Sequence, residues 1–407
     1  MEILSVMEHL AALDRSAITY DPERCIYSHD KFIDCEACLG ICPVNAIEPG
    51  KPPRFNADAC SGCLACLPLC PSGAYNADDA VHDLLNCATH VESKQIELVC
   101  QAHSRADSGV SEGTVGIRVR GCLAGLGSGT YLALAAMGLE KVAVRLDVCS
   151  ECPWKSLKGQ IESQTEAARH VLSAWGKAGL VQTVTNLETI CQHPLWDAKN
   201  PPLSRRDLFV MFSRQGQTTL ARAIEKEGTP AEKQAGRGHR RIENAIAHLS
   251  NPNQDMPLEG MGFGMVNISQ ACTACGSCAH ACPTGALEFE MDEDACTYSL
   301  GFTPQQCIGC HVCLHICADS AVSLDSAPLL NQVFGSKEPL ILRSGGLSRC
   351  ERCNAFFVAR VDNNRLCPNC EFRLKNPFGS RLPKGFNFPK AQIDNNHPQT
   401  FDRSRDL

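Results

Sequence analysis

The sequence predicts a multidomain chain of mixed α+β and α/β class. Two small cysteine-rich α+β modules flank a small parallel α/β domain, and a compact knuckle unit lies near the C-terminal end. Three observations predict it. Sixteen cysteines fall into four runs arranged as two pairs, at 25–70 and 272–317; short apolar strand signals alternate with helical ones over 95–190; and two C-x-x-C pairs stand at 350–370. A chain of 407 residues has room for two to four such modules.

Residues 1–21 open with MEILSVMEHLAALDRS, in which Ile3, Val6, Met7, Leu10 and Leu13 recur at helical spacing. An amphipathic helix is expected, packed on its own chain or on a partner. Glu2 and Glu8 interrupt the apolar core that a secretory signal needs, and no run approaches the ~20 apolar residues of a membrane span. The 27 cysteines therefore point to a reducing, cytoplasmic location, where dense cysteines more often hold metal than form disulfides. A formal net charge of −7 argues against nucleic acid as a partner of the whole chain.

The first module, 22–90, contains Cys35-x-x-Cys38-x-x-x-Cys42-Pro43, but the cysteine that should stand three residues before Cys35 is replaced by Phe32. The nearest candidate is Cys25, ten positions before Cys35. Either the ligand loop has grown by seven residues, its stretch YSHDKFID being exposed and polar, or a three-iron cluster forms with His29 as a remote candidate ligand. The second run is complete: Cys60, Cys63, Cys66 and Cys70, followed by Pro71. The pattern recurs over 261–326 as Cys272, Cys275, Cys278 and Cys282 before Pro283, then Cys307, Cys310, Cys313 and Cys317 before Ala318. This C-x₂-C-x₂-C-x₃-C spacing lets three thiolates on a tight loop reach one cluster while the fourth points to its neighbour.

Both pairs resemble the two-cluster 4Fe-4S ferredoxins, over roughly 20–85 and 262–326. The resemblance implies four 4Fe-4S clusters. One would sit on Cys272, Cys275, Cys278 and Cys317, and one on Cys307, Cys310, Cys313 and Cys282. In the first module the sets would be Cys60, Cys63, Cys66 and Cys42, and Cys35, Cys38 and Cys70 with Cys25.

Between the modules, IELVC (96–100), VGIRVRGC (115–122), KVAVRLDVC (141–149) and LVQTVTNL (180–187) read as buried strands, with helices near 128–139 and 157–178. Cys100, Cys122, Cys149 and Cys152 fall at strand ends, and the carboxyl ends of parallel strands are where open sheets bind ligands. The region 95–190 resembles the small iron–sulfur (delta) subunit of hydrogenases associated with heterodisulfide reductase, which implies a 2Fe-2S cluster on these four cysteines. It departs from that family at Cys100, which stands alone where the family shows a pair. A rival reading takes Gly125, Gly127 and Gly129 with Asp147 as a dinucleotide site, although Thr130 occupies the third glycine's place.

Residues 191–260 are expected to be a helical connector; its Ser204-Arg205-Arg206-Asp207-Leu208-Phe209 reads as an N-capped helix rather than a mid-chain export signal. Cys87, Cys191 and Cys296 lack partner spacing and read as buried thiols. After a linker at 327–345, Cys350-x-x-Cys353 and Cys367-x-x-Cys370 flank the strand signal FFVARV, close to a zinc ribbon over 346–375. Rubredoxin-like iron is the alternative, but Asn354 and Glu371 replace its usual glycines. Residues 341–390 carry ten Lys or Arg against three acids, a solvated or partner-docking surface, and 376–407 is expected to be a disordered tail.

No His-rich or paired-carboxylate constellation suggests a substrate site. The expected function is that of an iron–sulfur electron-transfer protein, a polyferredoxin-like subunit of a hydrogenase, formate dehydrogenase or heterodisulfide-reductase type complex. Its partners would be a redox enzyme subunit or a soluble electron carrier. A redox-sensing regulatory or maturation factor, or a flavin- or nicotinamide-binding oxidoreductase, is the alternative.

Overall fold

Five strands form one parallel sheet in the order Leu195–Asp197, Val115–Val119, Gln95–Cys100, Lys141–Arg145, Val181–Val184. Ile96, Leu98, Val99, Ile117, Val119, Val142 and Val144 are fully buried, so the strands read as near-continuous apolar runs. The computed structural model describes residues 18–78, 80–187, 191–202, 233–358 and 365–376. The helix expected before residue 18, the Arg205-Arg206 stretch and the tail beyond 376 lie outside the described residues.

The helix Ser128–Ala136 is apolar on every side and packs between Lys158–Leu172 and Arg237–His248. Gly127, at φ 74°, opens it in the left-handed region, and a Cβ there would come within 2.7 Å of Pro68. The edge strand Leu195–Asp197 corrects the wholly helical connector drawn for 191–260. Three residues are too few to show a period. Gly116, beside this strand, leaves the space that the buried His193 ring fills; a Cβ would lie 2.6 Å from it.

The two cysteine-rich regions share one topology. In the first, Thr19–Tyr20 pairs antiparallel with Tyr75–Asn76 around the hairpin Ile47–Glu48 and Arg54–Phe55. In the second, Met265–Ile268 pairs with Val322–Asp325 around Leu287–Asp292 and Thr297–Phe302. The second hairpin then extends through Leu340–Arg349 to Phe356–Val358, one antiparallel sheet running into the C-terminal knuckles. The presumed linker 327–345 thus contains the helix Leu330–Phe334 and the start of a ten-residue strand.

The insertion in the first module is only in part the exposed loop its composition suggests: Ser28, Lys31, Phe32 and Asp34 are exposed. Ile26, Tyr27 and Ile33 are buried, and Ile26–His29 forms a helical turn. Phe32, at the position of the missing cysteine, is 71% exposed.

Candidate metal centres

The C-terminal knuckles converge. The ligand atoms of Cys350, Cys353, Cys367 and Cys370 all lie within 4.8 Å of one another, and the Cys353 and Cys367 Sγ atoms are 3.7 Å apart. Thiolates about 2.3 Å from one tetrahedral zinc stand roughly 3.8 Å apart, so the set fits a four-coordinate ion. The Cys367 N–H donates to Cys350 Sγ at 3.3 Å and holds that thiol down, at about 6. Asn354 sits at φ 55°, the left-handed conformation a rubredoxin glycine would supply, whereas Glu371 lies inside the helix Pro368–Lys375. The two knuckles therefore differ in backbone.

In the second module, Cys272, Cys275, Cys278 and Cys317 line one cavity, and Cys282, Cys307, Cys310 and Cys313 line another. Each set takes its fourth cysteine from the other run. The amides of Ala46, Ala74 and Ala321 each donate to the sulfur four residues earlier, Cys42, Cys70 and Cys317, at 3.2 Å. The same turn is thus built three times, and N–H groups on sulfur are what tune a cluster's potential.

In the first module, burial pushes the Cys25 thiol up, opposed by the Tyr27 amide and the Tyr20 hydroxyl, with Cys70 and Cys35 as electrostatic neighbours. Cys38, pushed up to about 11 by burial, has Cys70, Cys35 and Cys25 beside it. Cys66, raised by burial, has Cys63, Cys60 and Cys42 beside it. The electrostatic neighbours of Cys25 and Cys38 are thus thiols of the set expected with Cys35 and Cys70, and those of Cys66 are Cys42, Cys60 and Cys63, while Cys25, Cys38, Cys42, Cys60, Cys66 and Cys70 all pack on one apolar cluster. His29 has Lys233, not a thiol, as its charged neighbour.

In the α/β domain, Cys100, Cys122, Cys149 and Cys152 line one cavity of about 250 Å³ at the carboxyl ends of three parallel strands, with Trp154 and Lys158 on its wall. Three buried tyrosine hydroxyls stand beside cysteine sets: Tyr20 and Tyr75 engage the Cys25 and Cys38 thiols, and Tyr131, with no hydrogen-bond partner, stands by Cys122. Buried O–H donors beside thiols fit an anionic group held on those thiolates.

Sequence reasoning missed a buried ion network whose His103 and Asp147 are chain neighbours of the cavity-lining Ala102, Ser104 and Val148. The Arg145 guanidinium bonds Glu97 at 3.0 Å and Asp147 at 2.8 and 3.2 Å, and also donates to the Ser108 carbonyl. His103 Nε2 lies 3.2 Å from Asp147 Oδ1. Burial works to raise the Asp147 carboxyl, but Arg145 and His103 hold it below its ordinary value. Glu97 also accepts from Val110 N and Thr114 Oγ1 at 2.8 and 2.7 Å. The network ties the 101–110 loop and the strand end leading to Cys149 onto the sheet. Its only sequence signals were polar residues inside apolar strands.

The same residues weigh against the dinucleotide reading. A Cβ on Gly125 would meet Leu64 at 2.9 Å and one on Gly129 would meet the Ile242 backbone at 2.9 Å, so the glycines admit protein. Asp147 is already engaged by Arg145. Of the unpaired cysteines, Cys87 is buried, Cys191 is half-buried, and Cys296 is exposed, contrary to expectation.

Burial pushes Cys122, Cys149 and Cys310 up to about 12, and Cys278 and Cys307 up to about 11, from 9.0. Because these folded-state values are raised, the stability they contribute to the metal-free chain is fully present below pH 9 and is lost as pH rises toward 12. The melting temperature of metal-free protein, followed anaerobically by circular dichroism, is expected to fall through this window. Metal-loaded protein, its thiolates already ionised, is expected to fall less.

Residues 267–288, which contain Cys272, Cys275, Cys278 and Cys282, match the family model of the 4Fe-4S binding domain. Comparison with curated proteins gives no match. The chain therefore carries a 4Fe-4S binding domain in its second cysteine-rich module.

Proposed function

We propose that this chain is a multi-cluster electron-transfer protein, a relay subunit serving a redox enzyme or a soluble carrier. The 4Fe-4S binding domain at 267–288 is its anchor. Four 4Fe-4S clusters are assigned to the four swapped cysteine sets of the two modules, a 2Fe-2S cluster to Cys100, Cys122, Cys149 and Cys152, and zinc to Cys350, Cys353, Cys367 and Cys370. The strand 195–197 is joined to the α/β domain and the strand 340–349 to the second module.

One observation carries the reading: the cysteines that share a cavity wall in the second module are those that the ferredoxin ligand swap would pair. A bound cluster supplies one-electron redox chemistry. The chain's own contribution is to ligate, to bury, and to aim N–H and O–H donors at the sulfurs. Among the described residues no helix is long and apolar enough to cross a membrane.

Elemental analysis of anaerobically reconstituted protein is expected to give on the order of 16 irons from four cubanes, about two more from the α/β site, and about one zinc. Fewer than about 10 irons would sink the double-module assignment. The Cys149→Ser/Cys152→Ser variant is expected to lose about two irons and one spectroscopic component while the cubane signals persist. An unchanged iron count would make these cysteines structural.

A further inference from the structure

The insertion that replaces the missing cysteine packs on the other half of the molecule. Ile26 and Ile33 are buried together with Ala235, Ile308 and Val312, and Cys35 and Cys310 flank this cluster. His315 Nδ1 lies 3.1 Å from Asp30 Oδ2. A cavity of about 370 Å³ is lined by Cys35 and Asp34 from the first module and by Cys310, His311 and His315 from the second.

A strap crosses the same junction. Lys233 Nζ donates to the carbonyls of Ala279 and His280 in the second module at 3.2 and 2.8 Å. Arg24 reaches from the first module to the Gln234 carbonyl at 3.2 Å, and the Gly236 amide donates to the Pro71 carbonyl at 2.7 Å. A Cβ at Gly236 would fall 2.2 Å from the Cys70 carbonyl oxygen, so only glycine lets the strap lie this close to a candidate ligand.

We infer that the stretched ligand loop at 26–34, the strap at 233–237 and the segment 308–315, which runs into the helix Val312–Ile316, form a seam that locks the two cysteine-rich modules together, with Cys35 and Cys310 on one shared cavity. The contact stands on geometry alone; its consequence rests on the proposed cluster sets. At the far side of the first module, the Cys122 amide donates to the Cys63 carbonyl at 3.2 Å, which joins the α/β cysteines to the Cys42, Cys60, Cys63 and Cys66 set. Within the second module the helices carrying Cys278 and Cys313 pack on each other. The seam thus completes a single file of five cysteine sets, from the α/β cavity to the Cys272 set. A seven-residue insertion has a use here that a lengthened surface loop would lack: it supplies the buried side of an intramolecular joint.

The test is made on the full chain with Ala235→Trp, a wedge at a position that is 4% exposed and remote in sequence from any candidate ligand. Hydrogen exchange read by mass spectrometry is expected to be slow in both 26–34 and 308–315 in the native sequence, and to accelerate roughly tenfold in both segments together in the variant. Electron paramagnetic resonance of the reduced variant is expected to lose the magnetic interaction between modules at unchanged iron content. Acceleration on one side only, or none, overturns the seam whatever the metal content. Joint acceleration with low iron supports the seam and counts against the cluster assignment instead. Lys233→Ala, which removes two bonds of the strap without crowding the core, is expected to give a smaller joint acceleration, so a wedge variant that fails to fold leaves the question decidable.

Discussion

Replacing Arg145 with Leu is expected to destabilise the α/β domain by about 3–5 kcal/mol, because it leaves two buried carboxylates without their cation. The Arg145, Glu97 and Asp147 side chains are 0%, 0% and 2% exposed, so water cannot take over. A domain of this kind has about 5–15 kcal/mol of stability in all, so the loss removes a large share. The chain's three tryptophans, Trp154, Trp175 and Trp196, all lie in this domain, which makes fluorescence under denaturant a local report. Adding Glu97→Gln and Asp147→Asn to Arg145→Leu is expected to recover part of the loss, since those changes remove the stranded charges. A loss below about 1 kcal/mol would mean that the carboxylates reach solvent or bind protons at little cost.

What could be read from the sequence, and what could not, follows from whether a feature is local. Parallel strands buried on both faces stand out as unbroken apolar runs, and cysteines at 100, 122 and 149 mark where those runs stop; hence the place of the α/β cavity is legible in the spacing alone. The buried ion network beside it was not. Glu97 lies opposite Ala143 in the sheet, and Arg145 reaches it only through a register between strands that spacing along the chain does not encode. The insertion misled for the opposite reason. Tyr27, Asp30 and Lys31 look like solvated loop, yet Ile26 and Ile33 find their partners at 308 and 312, about 280 residues away. At the knuckles, a glycine looked absent after Cys353, but Asn354 adopts the conformation glycine would have supplied.

Cys25→Ala is expected to cost the first module one intact cubane. The variant leaves Cys35, Cys38 and Cys70 as the remaining thiolates of that set, and three thiolates favour a three-iron species or loss of the cluster, about one to four irons of on the order of 16. The other three cubanes should survive, since none draws a ligand from position 25. Phe32→Cys in that background offers a thiol at the standard spacing, but the structure argues against rescue. Phe32 is 71% exposed and its amide is held by Asp30 Oδ1 at 2.9 Å, while Ile26 and Ile33 pin the loop from both sides. Bringing position 32 to the cluster would pull two buried side chains out of the seam, at roughly 1.5–3 kcal/mol each, so the added thiol stays in solvent. Low-temperature electron paramagnetic resonance of oxidised and reduced samples distinguishes the outcomes, because a three-iron cluster is paramagnetic when oxidised and a 4Fe-4S cluster of this class is not. Four unaltered 4Fe-4S signals in Cys25→Ala would hand the fourth ligand to another group. A cluster restored by Phe32→Cys would show that the insertion can leave the seam.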